Sequence, residues 1–185
     1  MTKSLRSSLI RLAHANPDLR PHLLPLLKVA SDDVNIRGKH LIGEASVVLW
    51  GAEVSGDAKV SGKGLARGKA KIYGHAWITD FAVVQGSAEV YDRAKVYGET
   101  YVTDAKVYDR AQVYGKARVY GNAEVFDDAK VYGKAEVYGN AKVSGNAKIY
   151  GNADISGGAQ ILGGNWDGSE GPITKGKWES PGVPA

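Results

Sequence analysis

Residues 129–153 read AKVYGKAEVYGNAKVSGNAKIYGNA, a phrase that repeats every six residues with Ala and Val almost unchanged. One hexad can be written A-x-V-x-G-x. Because alternate side chains of a strand point the same way, Ala and Val point inward and the neighbours of Val point outward. Gly or Asp, two residues after Val, suits a corner with a left-handed backbone conformation. Three strands and three corners predict a triangular coil, hydrogen-bonded to the next coil about 4.8 Å away.

The repeat can be followed along most of the chain. Its interior aliphatic position recurs in six-residue steps from Val54 to Val102 and, after one five-residue step, from Val107 to Ile161. At three hexads per coil this gives about six coils. Residues 18 apart stack on each other if the missing residue is lost from a corner and not from a strand.

The run at residues 129–153 resembles the hexapeptide-repeat superfamily, whose fold is a left-handed parallel β-helix. The resemblance covers about two thirds of the chain and implies an all-β solenoid, a single-stranded left-handed parallel β-helix. The left-handed winding of the coils is implied by the resemblance alone, because ordinary parallel crossovers are right-handed. The family contains acyltransferases, γ-type carbonic anhydrases and proteins with no known chemistry, so the fold does not decide the function. The resemblance also implies a homotrimer in which the axes of the three solenoids are parallel.

Three segments are predicted along the chain. Residues 1–30 are predicted to form a short N-terminal helical hairpin, in which Leu5 and Leu9 share one helix face. Helices this short are not stable alone in water, so we expect a cap on the solenoid or a docking segment for a larger assembly. Residues 36–162 form the hexapeptide-repeat β-helix. Residues 163–185 are rich in Gly and Pro and predict a C-terminal loop or tail.

The composition excludes several classes of protein. There is no Cys among the 185 residues, which excludes a disulfide framework and Cys-based sites. No apolar run approaches the roughly 20 residues of a membrane span, and no secretory signal is present. The basic, Ser-rich start resembles a mitochondrial transit peptide, but a helical hairpin explains the same residues. We favour a cytoplasmic or virion-like assembly, and the mild net charge of +4 argues against nucleic acid as a partner.

Outward residues fall into columns on each face of the coil. On the first face, the column before Val alternates in charge, which stabilises neighbouring strands: Glu53, Lys71, Glu89, Lys106, Glu124, Lys142 and Gln160. The second face carries a strip of Tyr and Lys: Tyr97, Tyr114, Tyr132, Tyr150, Lys95, Lys130 and Lys148. Stacked aromatics stabilise in-register parallel strands. The alternative is a strip that binds a polyanion or a sugar chain.

The third face begins with an apolar outward column, Leu65, Val83 and Tyr101, before it turns polar. Trp77 and Phe81 also break the polar consensus in this part of the chain. Apolar residues that point outward together mark a contact surface. These five residues are therefore predicted to contact sister chains, the N-terminal helices or the C-terminal tail. Within the tail, Trp166 and Trp178 are predicted to hold it against the body.

His75 and His40 are the histidines of the predicted solenoid. His75 occupies a corner position where most hexads carry Asn, Lys or Asp, and the resemblance implies that it would be the general base of an acyltransferase. A γ-type carbonic anhydrase needs three His ligands, so no metal site is predicted. No loop of ten or more residues interrupts the solenoid.

These observations lead to the hypothesis of a non-enzymatic structural or assembly β-solenoid. It would be a rigid rod without a cofactor, attached to sister chains or to a larger assembly, with a homotrimer favoured. Two alternatives stay open. One is a trimeric acyltransferase that uses acyl-CoA and His75, and the other is a polyanion- or carbohydrate-binding module that uses the Tyr and Lys strip.

Overall fold

The computed structural model describes residues 35–37, 41–42, 46–48, 51–180 and 183–184. The predicted N-terminal hairpin, residues 1–30, and His40 lie outside the described residues. Within those ranges the chain consists of short β-strands joined by turns, without a helix.

The strands form three sheets, and each turn of the chain contributes one strand to each sheet. Face 1 contains β1 (Asn35–Arg37), β4 (Glu53–Ser55), β7 (Lys71–Ile72), β10 (Glu89–Val90), β13 (Lys106–Val107), β16 (Glu124–Val125), β19 (Lys142–Val143), β22 (Gln160–Ile161), β24 (Lys177–Ser180) and β25 (Val183–Pro184). Face 2 contains β2 (Leu41–Ile42), β5 (Lys59–Val60), β8 (Trp77–Ile78), β11 (Lys95–Val96), β14 (Gln112–Val113), β17 (Lys130–Val131), β20 (Lys148–Ile149) and β23 (Asn165–Trp166). Face 3 contains β3 (Val47–Val48), β6 (Leu65–Ala66), β9 (Val83–Gln85), β12 (Tyr101–Thr103), β15 (Arg118–Tyr120), β18 (Glu136–Val137) and β21 (Asp154–Ile155).

All pairings between coils are parallel, and β25 alone among the described strands pairs antiparallel, with β24. The chain is therefore a parallel β-solenoid of about seven turns. The predicted stacking of residues 18 apart is confirmed, since Val54 lies opposite Ile72. At the five-residue step, Val90 lies opposite Val107. The missing residue is thus lost from the corner beside Asp104, and the strands stay in register.

The interior of the solenoid is filled by the Ala and Val columns. From Ala52 to Ile161 these side chains are almost completely buried, as the hexad predicts. Three sheets that converge on one axis leave room only for small and branched side chains. Burial of each Val or Ile contributes about 1.5–3 kcal/mol relative to exposure.

The corners confirm the predicted left-handed backbone conformation at Gly or Asp. At Gly98, φ is 79°, and a Cβ there would come within 2.8 Å of the Gly115 carbonyl oxygen. Aspartate adopts the same conformation at other corners, for instance with φ 56° at Asp127. There the carboxylate accepts a hydrogen bond from the amide of Gly145 in the next coil, 3.0 Å away. This bond offsets part of the strain that a side chain meets in this region.

Strand pairing continues past residue 162, where the sequence predicted a loop or tail. Trp166 lies opposite Ile149, Ile173 opposite Ile155 and Trp178 opposite Ile161. The Trp166 indole is buried, its ring centroid lies 6.0 Å from that of Trp178, and the two rings meet edge to face. The two tryptophans therefore close this end of the narrow core within a last, irregular coil.

Candidate functional site

Aromatic ladders run up all three faces at the outward position after Val. Ring centroids are 4.8–5.2 Å apart and neighbouring planes are within 8° of parallel. The ladders are Tyr73, Tyr91, Tyr108 and Phe126 on face 1, Tyr97, Tyr114, Tyr132 and Tyr150 on face 2, and Tyr120 and Tyr138 on face 3. Since the spacing is that of the strands, each inner ring has both faces covered by its neighbours. The ladders offer ring edges and hydroxyls to the outside.

On faces 1 and 3, phenol hydroxyls donate to carboxylates of the next coil. Tyr108 donates to Glu124 over 3.2 Å and Tyr120 donates to Glu136 over 3.0 Å. Burial, followed by the hydrogen bond to Glu136 and its charge, raises the pKa of Tyr120 to about 12. Burial and the charge of Glu124 raise the pKa of Tyr108 as well. On these two faces the tyrosine hydroxyls and the carboxylates are therefore hydrogen-bonded to each other within the solenoid.

Face 2 has lysines at the positions that carry those carboxylates elsewhere. Tyr114 and Tyr132 precede Lys130 and Lys148 by the same 16 residues that separate Tyr108 from Glu124. Lys130 and Lys148 lie directly opposite each other in neighbouring strands. Within the described part of the chain, neither ammonium group has a carboxylate within 4 Å, and neither tyrosine hydroxyl has a hydrogen-bond acceptor. Face 2 therefore presents unmatched donors.

An apolar band lies along face 3 and its edge with face 2; we define it as Leu65, Phe81, Val83 and Tyr101. Leu65, Val83 and Tyr101 are consecutive partners in the sheet. Phe81 lies in the corner between β8 and β9, and the Lys63 ammonium sits 4.8 Å from its ring centroid. Phe81 and Tyr101 are 55% and 46% exposed. They line a shallow groove of about 420 Å³ together with Glu99, Lys116 and Arg118.

Trp77, which the sequence grouped with this band, lies on face 2 between Lys59 and Lys95. Its indole N–H donates to the Ser61 hydroxyl over 3.0 Å, and the Lys95 ammonium lies 5.9 Å from the ring centroid. The predicted contact residues are therefore divided between two adjacent faces.

His75 lies in the corner between β7 and β8. Its Nδ1 is 3.4 Å from Oδ2 of Asp57, which occupies the same corner one coil earlier. Sequence reasoning missed this carboxylate, although the 18-residue spacing points to it. Both side chains are more than half exposed, so the pair contributes little to stability. A carboxylate that orients an imidazole is nevertheless a useful element of a general base.

Within the described ranges, no group of three or more His, Asp or Glu residues is arranged to hold a metal ion. No helix long and apolar enough to cross a membrane is found in that part of the chain either.

Comparison with known families identifies one similarity. A family model described as the YdcK β-solenoid repeat matches residues 111–125. That segment contains one strand of each face, β14, β15 and β16, and so corresponds to one coil. No curated protein and no solved structure matches the chain significantly. The matched repeat and the observed coils agree with the repeat-built β-helix that the sequence predicted, and they carry no information on an activity.

Proposed function

We propose that this chain is a non-enzymatic structural or assembly element, a rigid β-solenoid rod that associates with copies of itself through the apolar band. The observation that carries the proposal is the exposure of Phe81 and Tyr101 beside Leu65 and Val83. A contiguous apolar surface on an otherwise polar molecule is typical of an interaction site.

The rigidity of the rod follows from hydrogen bonds between successive coils. They join strands, as from the Glu53 amide to the Ala70 carbonyl over 2.8 Å, and they also join corners, as from the Lys116 amide to the Gly133 carbonyl over 2.7 Å. From β4 to β23 the strands are connected by short corners without an excursion. About seven coils at the strand spacing give a rod of roughly 30–35 Å.

A second copy of the chain is the partner we favour for the band. Leu65, Val83 and Tyr101 stack in three successive coils, so rods with parallel axes can contact each other over these coils. Acidic Glu99 and basic Arg118 both flank the exposed rings, so the groove can meet a like surface without a uniform charge clash. Three copies whose bands converge on a common three-fold axis would give the homotrimer that the family resemblance implies.

Light scattering on the purified chain tests self-association. A chain of 19.7 kDa predicts about 59 kDa for a trimer, three times the chain mass. The double substitution Phe81→Lys and Tyr101→Lys should give folded monomers whose melting temperature no longer depends on protein concentration. Asn122→Lys with Asn146→Lys adds the same charge at exposed corners outside the band and should keep the trimer mass. A wild-type monomer at all concentrations, or a variant that still forms trimers, would overturn the proposal.

The contact between His75 and Asp57 favours a second candidate function, a trimeric acyltransferase that uses acyl-CoA. In this case His75 would accept a proton from the acceptor substrate and Asp57 would orient the imidazole. Coenzyme A should then raise the melting temperature in a saturable manner. His75→Gln should abolish acyl transfer and leave the rod folded. The absence of a shift with coenzyme A would reject this candidate.

A further inference from the structure

Face 2 carries a row of donors that runs parallel to the axis of the solenoid. We define the donor row as Lys130 and Lys148 with the hydroxyls of Tyr114 and Tyr132. The three coils of this region carry Gln112 with Tyr114, Lys130 with Tyr132, and Lys148 with Tyr150, so the donors repeat at the strand spacing of about 4.8 Å. Gln112, one coil before Lys130, extends the row with an amide.

The donor row is unfavourable for the isolated solenoid. Like charges directly opposite in a sheet destabilise the pairing, and Lys130 faces Lys148 in this way. On face 1 the equivalent strands place Lys142 against Glu124, with 3.3 Å between the ammonium and the carboxylate. The same backbone can therefore carry a column in which opposite charges pair between neighbouring strands, and face 2 does not have such a column. A ligand that supplies the missing acceptors would complete it.

The geometry of the tyrosine ladder restricts what this ligand can be. The Tyr114 and Tyr132 rings are parallel with centroids 4.8 Å apart, and Tyr150 covers the next face. Single-stranded nucleic acids bind proteins largely by stacking bases on aromatic faces, and these faces are occupied. Only hydroxyls and ammonium groups remain for recognition. They select for anionic groups and hydroxyls, and not for flat aromatic rings.

We propose that face 2 binds an acidic polysaccharide that carries one carboxylate per sugar unit and lies along the solenoid axis. Carboxylates would accept hydrogen bonds from Lys130 and Lys148, and the hydroxyls of Tyr114 and Tyr132 and the Gln112 amide would bind sugar hydroxyls. Because these donors follow one another along the axis at the strand spacing, an extended chain that lies along the axis can contact them in succession. This site is separate from the apolar band, so it does not depend on self-association.

The test is calorimetric titration of the full chain with oligogalacturonates of increasing length. We expect saturable binding that tightens with length and weakens linearly on a log–log plot against salt concentration. Lys130→Gln with Lys148→Gln should weaken binding about tenfold or more, as expected for the loss of about 1.4 kcal/mol. Lys106→Gln with Lys142→Gln removes the same charge from face 1 and should change affinity less than about twofold. Absence of binding, or an equal loss in both double variants, would overturn the proposal.

A second variant separates recognition from folding. Tyr114→Phe with Tyr132→Phe removes two hydroxyls that have no acceptor within the described part of the protein, so the melting temperature should not fall, whereas affinity should. Unchanged affinity would remove the tyrosines from the site and overturn the proposed contacts. Equal affinity for inorganic polyphosphate or single-stranded DNA would show a general cationic surface and overturn the polysaccharide assignment. Light scattering on the lysine variant should give the wild-type mass, so failure here is distinguishable from failure of self-association.

Discussion

Faces 1 and 2 of the solenoid have the same backbone, the same interior columns and four stacked rings each, but they differ in the outward residue before Val. On face 1 this column alternates between Glu and Lys, and Glu124 accepts both from the Tyr108 hydroxyl and from Lys142. On face 2 it contains no acidic residue from Lys59 to Asn165. The comparison teaches that the interior side chains determine the fold. The outward column can change from alternating, paired charges to lysines without a carboxylate partner, and the fold stays the same.

The largest expected effect tests whether the two faces share one scaffold. Ile72 of face 1 and Ile78 of face 2 are both fully buried interior residues. Ile72→Ala and Ile78→Ala should each reduce the free energy of unfolding by about 2–5 kcal/mol, because each leaves a cavity in a narrow core. Urea denaturation measures both. Costs that differ by more than about 1 kcal/mol would show that the faces do not support the core equally.

The interior was predictable from the sequence because only one class of residue satisfies each position. A small or branched side chain must point inward, and Gly or Asp must occupy the positive-φ corner, so Val54, Gly98 and Asp127 could each be placed correctly. The last coil was missed because Trp166, Ile173 and Trp178 follow one another at seven- and five-residue steps. Large indoles close the end of the core there, and the hexad no longer applies.

The candidate sites were less predictable, because they depend on which side chains meet across coils. The columns identify neighbours, but the contact of His75 with Asp57 also depends on side-chain rotamers. Trp77 was grouped with the apolar band although its strand belongs to face 2. The left-handed winding, the homotrimer and the use of acyl-CoA rest on family resemblance, and they stay predictions.

A smaller effect should distinguish the hydroxyls of the two ladders. The Tyr108 hydroxyl donates to Glu124, so Tyr108→Phe should lower the free energy of unfolding by about 0.5–1.5 kcal/mol. Tyr132→Phe removes a hydroxyl for which the described residues offer no acceptor and should have an effect near zero. Both variants keep the stacked ring. Equal losses in urea denaturation would mean that the Tyr132 hydroxyl has an acceptor within the folded chain.

A still smaller effect concerns the charges. Lys148→Glu turns the like-charged pair with Lys130 into an opposite pair, and we expect it to stabilise the rod by about 0.2–1 kcal/mol. Lys142→Glu places two carboxylates opposite each other on face 1 and should destabilise the rod by a similar amount. Chemical denaturation at low and high salt checks both, because screening should reduce both changes. A destabilising Lys148→Glu would show that Lys148 already has a partner in the protein.

The last difference between the two faces concerns the pKa values of their tyrosines, and it affects the free energy of unfolding only at alkaline pH. Burial, followed by the charges of neighbouring tyrosine and carboxylate groups, raises the pKa of Tyr91 on face 1 to about 12. On face 2, burial and the charges of other tyrosines raise the pKa values of Tyr114 and Tyr132. In the unfolded chain these phenols ionise near pH 10. Stability from the raised pKa values is therefore complete below about pH 10 and is lost as the pH rises towards 12.

Ultraviolet titration of tyrosinate should accordingly show Tyr114 and Tyr132 on face 2 ionising before Tyr91 on face 1. Tyr114→Phe with Tyr132→Phe should remove their earlier phase, and Tyr91→Phe with Tyr108→Phe should reduce the later one, to which Tyr120 of face 3 also contributes. A single phase near pH 10 in the folded protein would contradict the difference between the faces. Two phases would show that neighbouring carboxylates act on Tyr91, whereas the hydroxyls of Tyr114 and Tyr132 have no such neighbour and stay available to a ligand.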